Sequence, residues 1–258
     1  MMFLVVAALV ATAVAAPRDR LTPPVPTLIT EKDSYIIGGS DASAGQFPFI
    51  GSLLSSTSSG GSHTCGAVRI SSTWVLCAAH CTQSSSRSVW FGIRCRSSTS
   101  GGQHRSFSRI VNHPNYGSGA GSFPNDISVL QMSSGVTVGG VANLPSSGDF
   151  AGQTATISGW GRTCGSCSLP DCLKYVNIPV LSNSQCSGYW GSSINSGHIC
   201  VYSGSTGACN GDSGGPMSIG NTVIGITSWG ASGCGTSTPS VYSRVTTFRS
   251  WIQSVTGV

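Results

Sequence analysis

From Ile36 onward the chain alternates short apolar runs with breaks rich in Ser, Gly and Thr. The runs FPFIGSLL (47–54), TWVLCAA (73–79), SVWFGI (88–93), DISVLQM (126–132), TATISGW (154–160), NIPVL (177–181) and TVIGITSW (222–229) are each about the length of a strand. Short runs rich in β-branched and aromatic residues, bounded by turn residues, predict an all-β sandwich or barrel. One stretch departs from this pattern. In SRVTTFRSWIQSV, Val245, Phe248, Trp251, Ile252 and Val255 recur at helical spacing and can share one face, which predicts a C-terminal helix over about 243–256. The Ser/Gly stretches at 55–62, 97–102 and 117–122 read as surface loops. Glycines without a fixed period, together with six tryptophans, argue against a silk-like or collagen-like protein.

The first thirty-five residues follow other rules. Residues 3–16, FLVVAALVATAVAA, are apolar or small and end in an A-x-A pattern, too short to span a bilayer and shaped like a secretory signal peptide. Residues 17–35 carry Pro17, Pro23, Pro24 and Pro26, with neither periodicity nor cysteine, and read as a propeptide. The expected organisation is therefore a signal peptide at 1–16, a propeptide at 17–35 and a globular body at 36–258, in a secreted, extracellular protein with no membrane span.

Composition narrows the chemistry. Eleven cysteines in such a chain point to disulfides, with at least one thiol left over, and the five scattered histidines give no zinc pattern. The body holds ten Lys and Arg against five acids, Asp41, Asp126, Asp149, Asp171 and Asp212. The basic residues are dispersed, so nucleic-acid binding has little support.

Three short words carry candidate catalysis. CNGDSGGPM (209–217) sets Ser213 among glycines, so the backbone can turn sharply and bring N–H groups against a substrate. WVLCAAHC (74–81) ends an apolar run at His80, and NDISVL (125–130) places Asp126 at the head of another. A serine hydroxyl is a weak nucleophile unless a base is in reach, and the base needs a partner to hold its tautomer.

These words, in the order His, Asp, Ser, resemble the chymotrypsin family of serine endopeptidases. The resemblance extends through IIGG (36–39), CGAVRISSTWVLCAAHC (65–81), RIVNHPNY (109–116), ISGWGRT (157–163), GACNGDSGGP (207–216), TSWG (227–230) and PSVYSRV (239–245). It implies two six-stranded antiparallel β-barrels, at about 36–135 and 145–245, with the C-terminal α-helix behind them. It further implies Ser213 as nucleophile, His80 as general base, Asp126 as its orienting carboxylate, and the N–H groups of Gly211 and Ser213 as the oxyanion hole. Ser228 would bond the Asp126 carboxylate. Cutting after Tyr35 would free the Ile36 ammonium to pair with Asp212, so the chain would be a zymogen.

The resemblance also places a specificity pocket at Gly207, Ser228, Trp229, Gly230 and Ser240. Trypsin-like members have an aspartate at the position of Gly207. Without that charge, cleavage is expected after Phe, Tyr, Trp or Leu, with elastase-like cleavage after smaller residues as the alternative and a non-catalytic binding protein as the rival class. Implied disulfides are Cys65–Cys81, Cys186–Cys200 and Cys209–Cys234; Cys95–Cys172 and Cys164–Cys167 are the guesses for the remainder, leaving Cys77 as a buried thiol. The family's further bridge has no cysteine here, at Ala155 and Ile219. No calcium site is expected, since GIRCRSSTSGGQHR (92–105) has no acid. No cofactor is expected, and the expected partners of a monomer are protein or peptide substrates and protein inhibitors.

Overall fold

The computed structural model describes residues 36–258; the expected signal peptide and all but the last edge of the propeptide junction, including Tyr35, lie outside the described residues. Strands β2 (Ile50–Leu54), β3 (His63–Arg69), β4 (Trp74–Cys77), β5 (Ser88–Phe91), β6 (Gln103–Asn112) and β7 (Ser128–Met132) close a first barrel in the order β2-β3-β4-β7-β6-β5. A second ring runs β9-β10-β13-β12-β11-β8 and closes through β8 on β9. Its strands are β8 (Thr154–Gly159), β9 (Lys174–Leu181), β10 (His198–Val201), β11 (Pro216–Ile219), β12 (Thr222–Trp229) and β13 (Ser240–Arg244). The short β1 (Ser40–Asp41) pairs with β9 outside this ring, where Lys174 Nζ meets Asp41 Oδ1 at 2.6 Å. All strand pairings are antiparallel, and closure removes the exposed edges that would otherwise invite association.

The apolar runs supply the interiors. Leu53, Ala67, Val68, Val75, Leu76, Val89, Phe91, Val129 and Leu130 are fully buried in the first barrel, and Ile157, Ile178, Ile199, Met217 and Tyr242 fill the second. Ala155 and Ile219 lie in that second cluster on the paired strands β8 and β11, so apolar packing occupies the place of the absent bridge. Helix α2 (Val245–Thr256) begins two residues later than the spacing suggests, because 240–244 are committed to β13. Its predicted face holds: Val245, Phe248 and Ile252 are buried, with Trp251 and Val255 packed beside them.

Two elements escape the hydrophobic pattern. Strand β6, QHRSFSRIVN, has no fully buried residue, yet its ladder to β5 and β7 closes the barrel. Helix α1 (Asn183–Trp190) buries only Cys186 and so shows no apolar stripe, which corrects the expectation of helix at the C-terminus alone. Its signal is local: Ser182 accepts from the Gln185 N–H while Gln185 reaches back to the Ser182 N–H, a reciprocal cap. Ser182→Ala should therefore lower stability by about 1 kcal/mol in a denaturant titration while leaving turnover unchanged.

Candidate active site

Asp126 is fully buried at the start of the segment leading into β7. Its Oδ1 accepts from the His80 backbone N–H at 2.9 Å, and Oδ2 faces His80 Nδ1 at 2.7 Å and accepts from Ser228 Oγ at 2.6 Å. With Nδ1–H donated to the carboxylate, the Nε2 lone pair of a neutral His80 is left for a substrate-side proton. His80 sits on a one-turn 3₁₀ helix after β4, where Cys81 is bonded to Cys65 of β3. Asp126 and Ser228 come from different barrels, so the carboxylate is completed only when the barrels meet.

Ser213 is fixed through its backbone. Its carbonyl accepts from the Gly66 N–H of β3 at 2.8 Å, and the Gly214 N–H donates to Thr227 of β12. Gly214, at φ +75°, lies against Cys77 Sγ and the Gly66 carbonyl oxygen, with the backbone N of Ala78, two residues before His80, close by; a side chain there would collide with the sulfur and the carbonyl. The nearly full burial of Cys77 pushes its thiol up to about 12, and the thiol donates to the Gly66 carbonyl, so it acts as packing and not as a second nucleophile.

Phe123, half-exposed with φ +47°, was not singled out from the sequence. Its ring edge meets the His80 ring at 6.3 Å, and it lines, together with Ser213, a cavity of about 340 Å³. Ser228, Trp229 and Gly230 form one wall of that cavity, which is lined by no charged side chain. Gly207 and Ser240 stand behind the lining residue Ala208, whose N–H donates to Ser240 Oγ at 3.2 Å. A Cβ on Gly207 would come within 3.0 Å of that hydroxyl, so Ser240 occupies the space a side chain at 207 would use. A Cβ on Gly230 would lie in ordinary contact with the Ser240 Cα, at 3.9 Å.

A second histidine that the sequence reading passed over, His63, supports this region from behind. Its Nε2 lies 3.0 Å from the Gly211 carbonyl and its Nδ1 2.8 Å from Ser52 Oγ. A carbonyl only accepts, so Nε2 carries the proton and Nδ1 accepts from Ser52. Desolvation holds His63 down at about 4, against a weaker upward pull from its Gly211 bond. Asp212, also buried, accepts from the N–H groups of Gly161 at 2.8 Å and Cys209 at 2.9 Å; desolvation nevertheless lifts its carboxyl to about 7. Ile36 is buried in the second barrel's core, and Ile37 bridges to Gly207.

Five disulfides join the described cysteines: Cys65–Cys81, Cys95–Cys172, Cys164–Cys167, Cys186–Cys200 and Cys209–Cys234. Cys77 is the free thiol among them. Among the described residues no helix is long and apolar enough to cross a membrane.

Residues 36–252 match the trypsin family. The chain belongs to that family. A chymotrypsin-like serine proteinase of Haliotis rufescens is 39% identical over 88% of this chain and 94% of its own length. A fibrinolytic enzyme, isozyme C, of Lumbricus rubellus is 43% identical over 84% and 98% of the two chains, and trypsin delta of Drosophila melanogaster 41% over 88% and 90%. This member of the trypsin family is thus a serine endopeptidase, hydrolysing peptide bonds in protein or peptide substrates.

An unfolded histidine takes up a proton below about 6.5, whereas buried His63 stays neutral until about 4. Native stability therefore falls as pH drops across that window. In thermal melts from pH 7 to pH 4, His63→Gln should lose less stability than the parent protein; parallel curves would contradict the assignment of His63 as a buried neutral group.

Proposed function

We propose that the chain is the zymogen of an exported endopeptidase that cuts after aromatic and large aliphatic residues, with His80, Asp126 and Ser213 as its catalytic triad. In this reading His80 Nε2 takes the Ser213 hydroxyl proton as Oγ attacks the scissile carbonyl. The N–H groups of Gly211 and Ser213 stabilise the oxyanion, and His80 returns the proton to the leaving amine. Water then resolves the acyl-enzyme by the same steps. Asp126, fully buried and bonded to both His80 nitrogen donors, holds the required tautomer.

The cavity carries the specificity reading. An acid at its closed end would be needed to hold a buried Lys or Arg, and an isolated buried cation is strongly unfavourable. Here Gly207 and the Ser240 hydroxyl stand behind the lining residue Ala208, and no charged residue lines the cavity. One observation favours a second reading, preference for smaller apolar residues: the Ser240 side chain takes up depth that a glycine there would leave open.

Activation after Tyr35 is supported by two features. Among the described residues Asp212 has only backbone donors, so a charged partner from a new Ile36 terminus would offset its desolvation. Ile36 also sits at φ +35°, a left-handed conformation that a β-branched residue adopts at a cost of about 1–3 kcal/mol. That dihedral ceases to exist once the Tyr35–Ile36 bond is cut. Export to an oxidising compartment fits the five disulfides.

A cleavage profile on a peptide library, with Ser213→Ala as control, tests the reading. Cutting after Phe, Tyr, Trp and Leu is expected; cutting confined to Ala and Val would select the second reading. Gly230→Val should lower kcat/KM for aromatic substrates by about 100-fold or more, since Gly230 lines the cavity and a branched side chain there would take up its space. The folded uncut chain binds a proton at Asp212 up to about pH 7, above the roughly 3.9 of an unfolded Asp. Its stability contribution is therefore lost as pH rises through 7. The cut form should melt above the uncut form at pH 7.5, and this gap should narrow at pH 5; a gap independent of pH would overturn the Ile36–Asp212 pairing.

A further inference from the structure

Gly211 has φ +101° and no side chain, so nothing in its own covalent structure fixes the orientation of its N–H. Three neighbours restrain it. His63 Nε2 bonds its carbonyl at 3.0 Å. A Cβ added to it would come within 3.1 Å of the Gly161 Cα and within 2.8 Å of the Leu169 Cδ2 methyl, so Leu169 lies directly against the Gly211 backbone. The first two restraints belong to β3 and the β8 terminus. Leu169 is different, because it sits in the 164–172 loop, which has no strand or helix of its own.

That loop is held by the opposite barrel. Cys172 is bonded to Cys95, which follows β5, and the Arg96 N–H donates to the Asp171 carbonyl at 2.9 Å. The Arg96 guanidinium donates to the carbonyls of Leu169 at 3.2 Å and Pro170 at 2.8 Å, and the Ser97 N–H donates to Asp171 Oδ1 at 2.8 Å. Every one of these bonds acts within three residues of Leu169. Leu169 also closes one side of a cavity of about 330 Å³ that reaches His63, so its side chain stands between that space and the Gly211 peptide.

We propose that Leu169 is a positioning residue for peptide-bond hydrolysis: anchored through Cys95–Cys172 and Arg96, it presses the Gly211 peptide into the orientation whose N–H faces the reacting carbonyl oxygen. The proposal rests on the oxyanion-hole assignment of Gly211 made above. A donor aimed at an oxyanion acts mainly in the transition state, so its loss lowers kcat while KM changes little.

The test uses the matured enzyme, with Leu169→Ala, Leu169→Met and the paired Cys95→Ser/Cys172→Ser variant. Leu169→Ala should lower kcat about tenfold with KM within about twofold, and weaken a peptide aldehyde, whose hemiacetal oxygen occupies the oxyanion position, by about the same factor. Indole, which can fill only the uncharged cavity beside Ser213 and has no oxyanion to offer, should bind as before. Leu169→Met should restore most of the rate, and the cysteine pair variant should reproduce the alanine split even if Leu169→Ala proves unstable. Unchanged kcat and aldehyde affinity in Leu169→Ala would overturn the proposal, and so would equal loss of aldehyde and indole, which would mean general collapse of the loop. Full activity of Ser213→Ala would instead overturn the site assignment beneath it.

Discussion

A carboxylate with no exposure to water, Asp126, must be surrounded by donors, and meeting that demand joins the two barrels. His80 contributes two bonds from the first barrel and Ser228 one from the second, while Ser243 of β13 donates to the Asp126 carbonyl at 2.6 Å. A buried charge left without such partners would cost several kcal/mol. The same bonds that satisfy it also orient His80. Stability of the interface and alignment of the His80 ring are therefore one requirement, and a chain that failed to dock its barrels would lose both.

Around this centre the backbones approach one another without intervening side chains. A Cβ on Gly66 would come within 2.6 Å of the Gly215 Cα, which lets the Gly66 N–H reach the Ser213 carbonyl. Small residues at the junction exchange side-chain packing for direct main-chain bonds, and main-chain bonds leave little rotational freedom. Asp212 repeats the principle at lower satisfaction. It has two backbone donors and no charged partner among the described residues, and its raised affinity for a proton is the physical sign of that deficit. Of the two buried acids, Asp126 is thus the more fully hydrogen-bonded.

The outer parts of the site depend on covalent and polar ties more than on apolar burial. The 164–172 segment has no regular structure, yet it is bonded to the 95–97 turn through a disulfide, a guanidinium and an aspartate. Cys209–Cys234 similarly spans the cavity wall, with both cysteines among its lining residues. Loops so tied can present side chains with the constancy of a strand while remaining free to vary in sequence.

What the sequence determined by itself was local. Short apolar runs bounded by turn residues marked most strands, the 3.6-residue spacing marked α2, and the words around His80, Asp126 and Ser213 marked the family, because each of these signals lies within a few neighbouring residues. Strand β6 and helix α1 were not legible as elements, since neither buries an apolar face and both are stabilised by ladder or cap hydrogen bonds. His63, Phe123 and Leu169 were likewise silent. Their partners, Gly211 for His63, His80 for Phe123, and Gly211 and Arg96 for Leu169, are far away along the chain, and no motif spacing encodes such a meeting. Only the closure and docking of the barrels decided which residues stand against the Gly211 peptide and which line the cavity beside Ser213, because those choices follow from backbone approach in space.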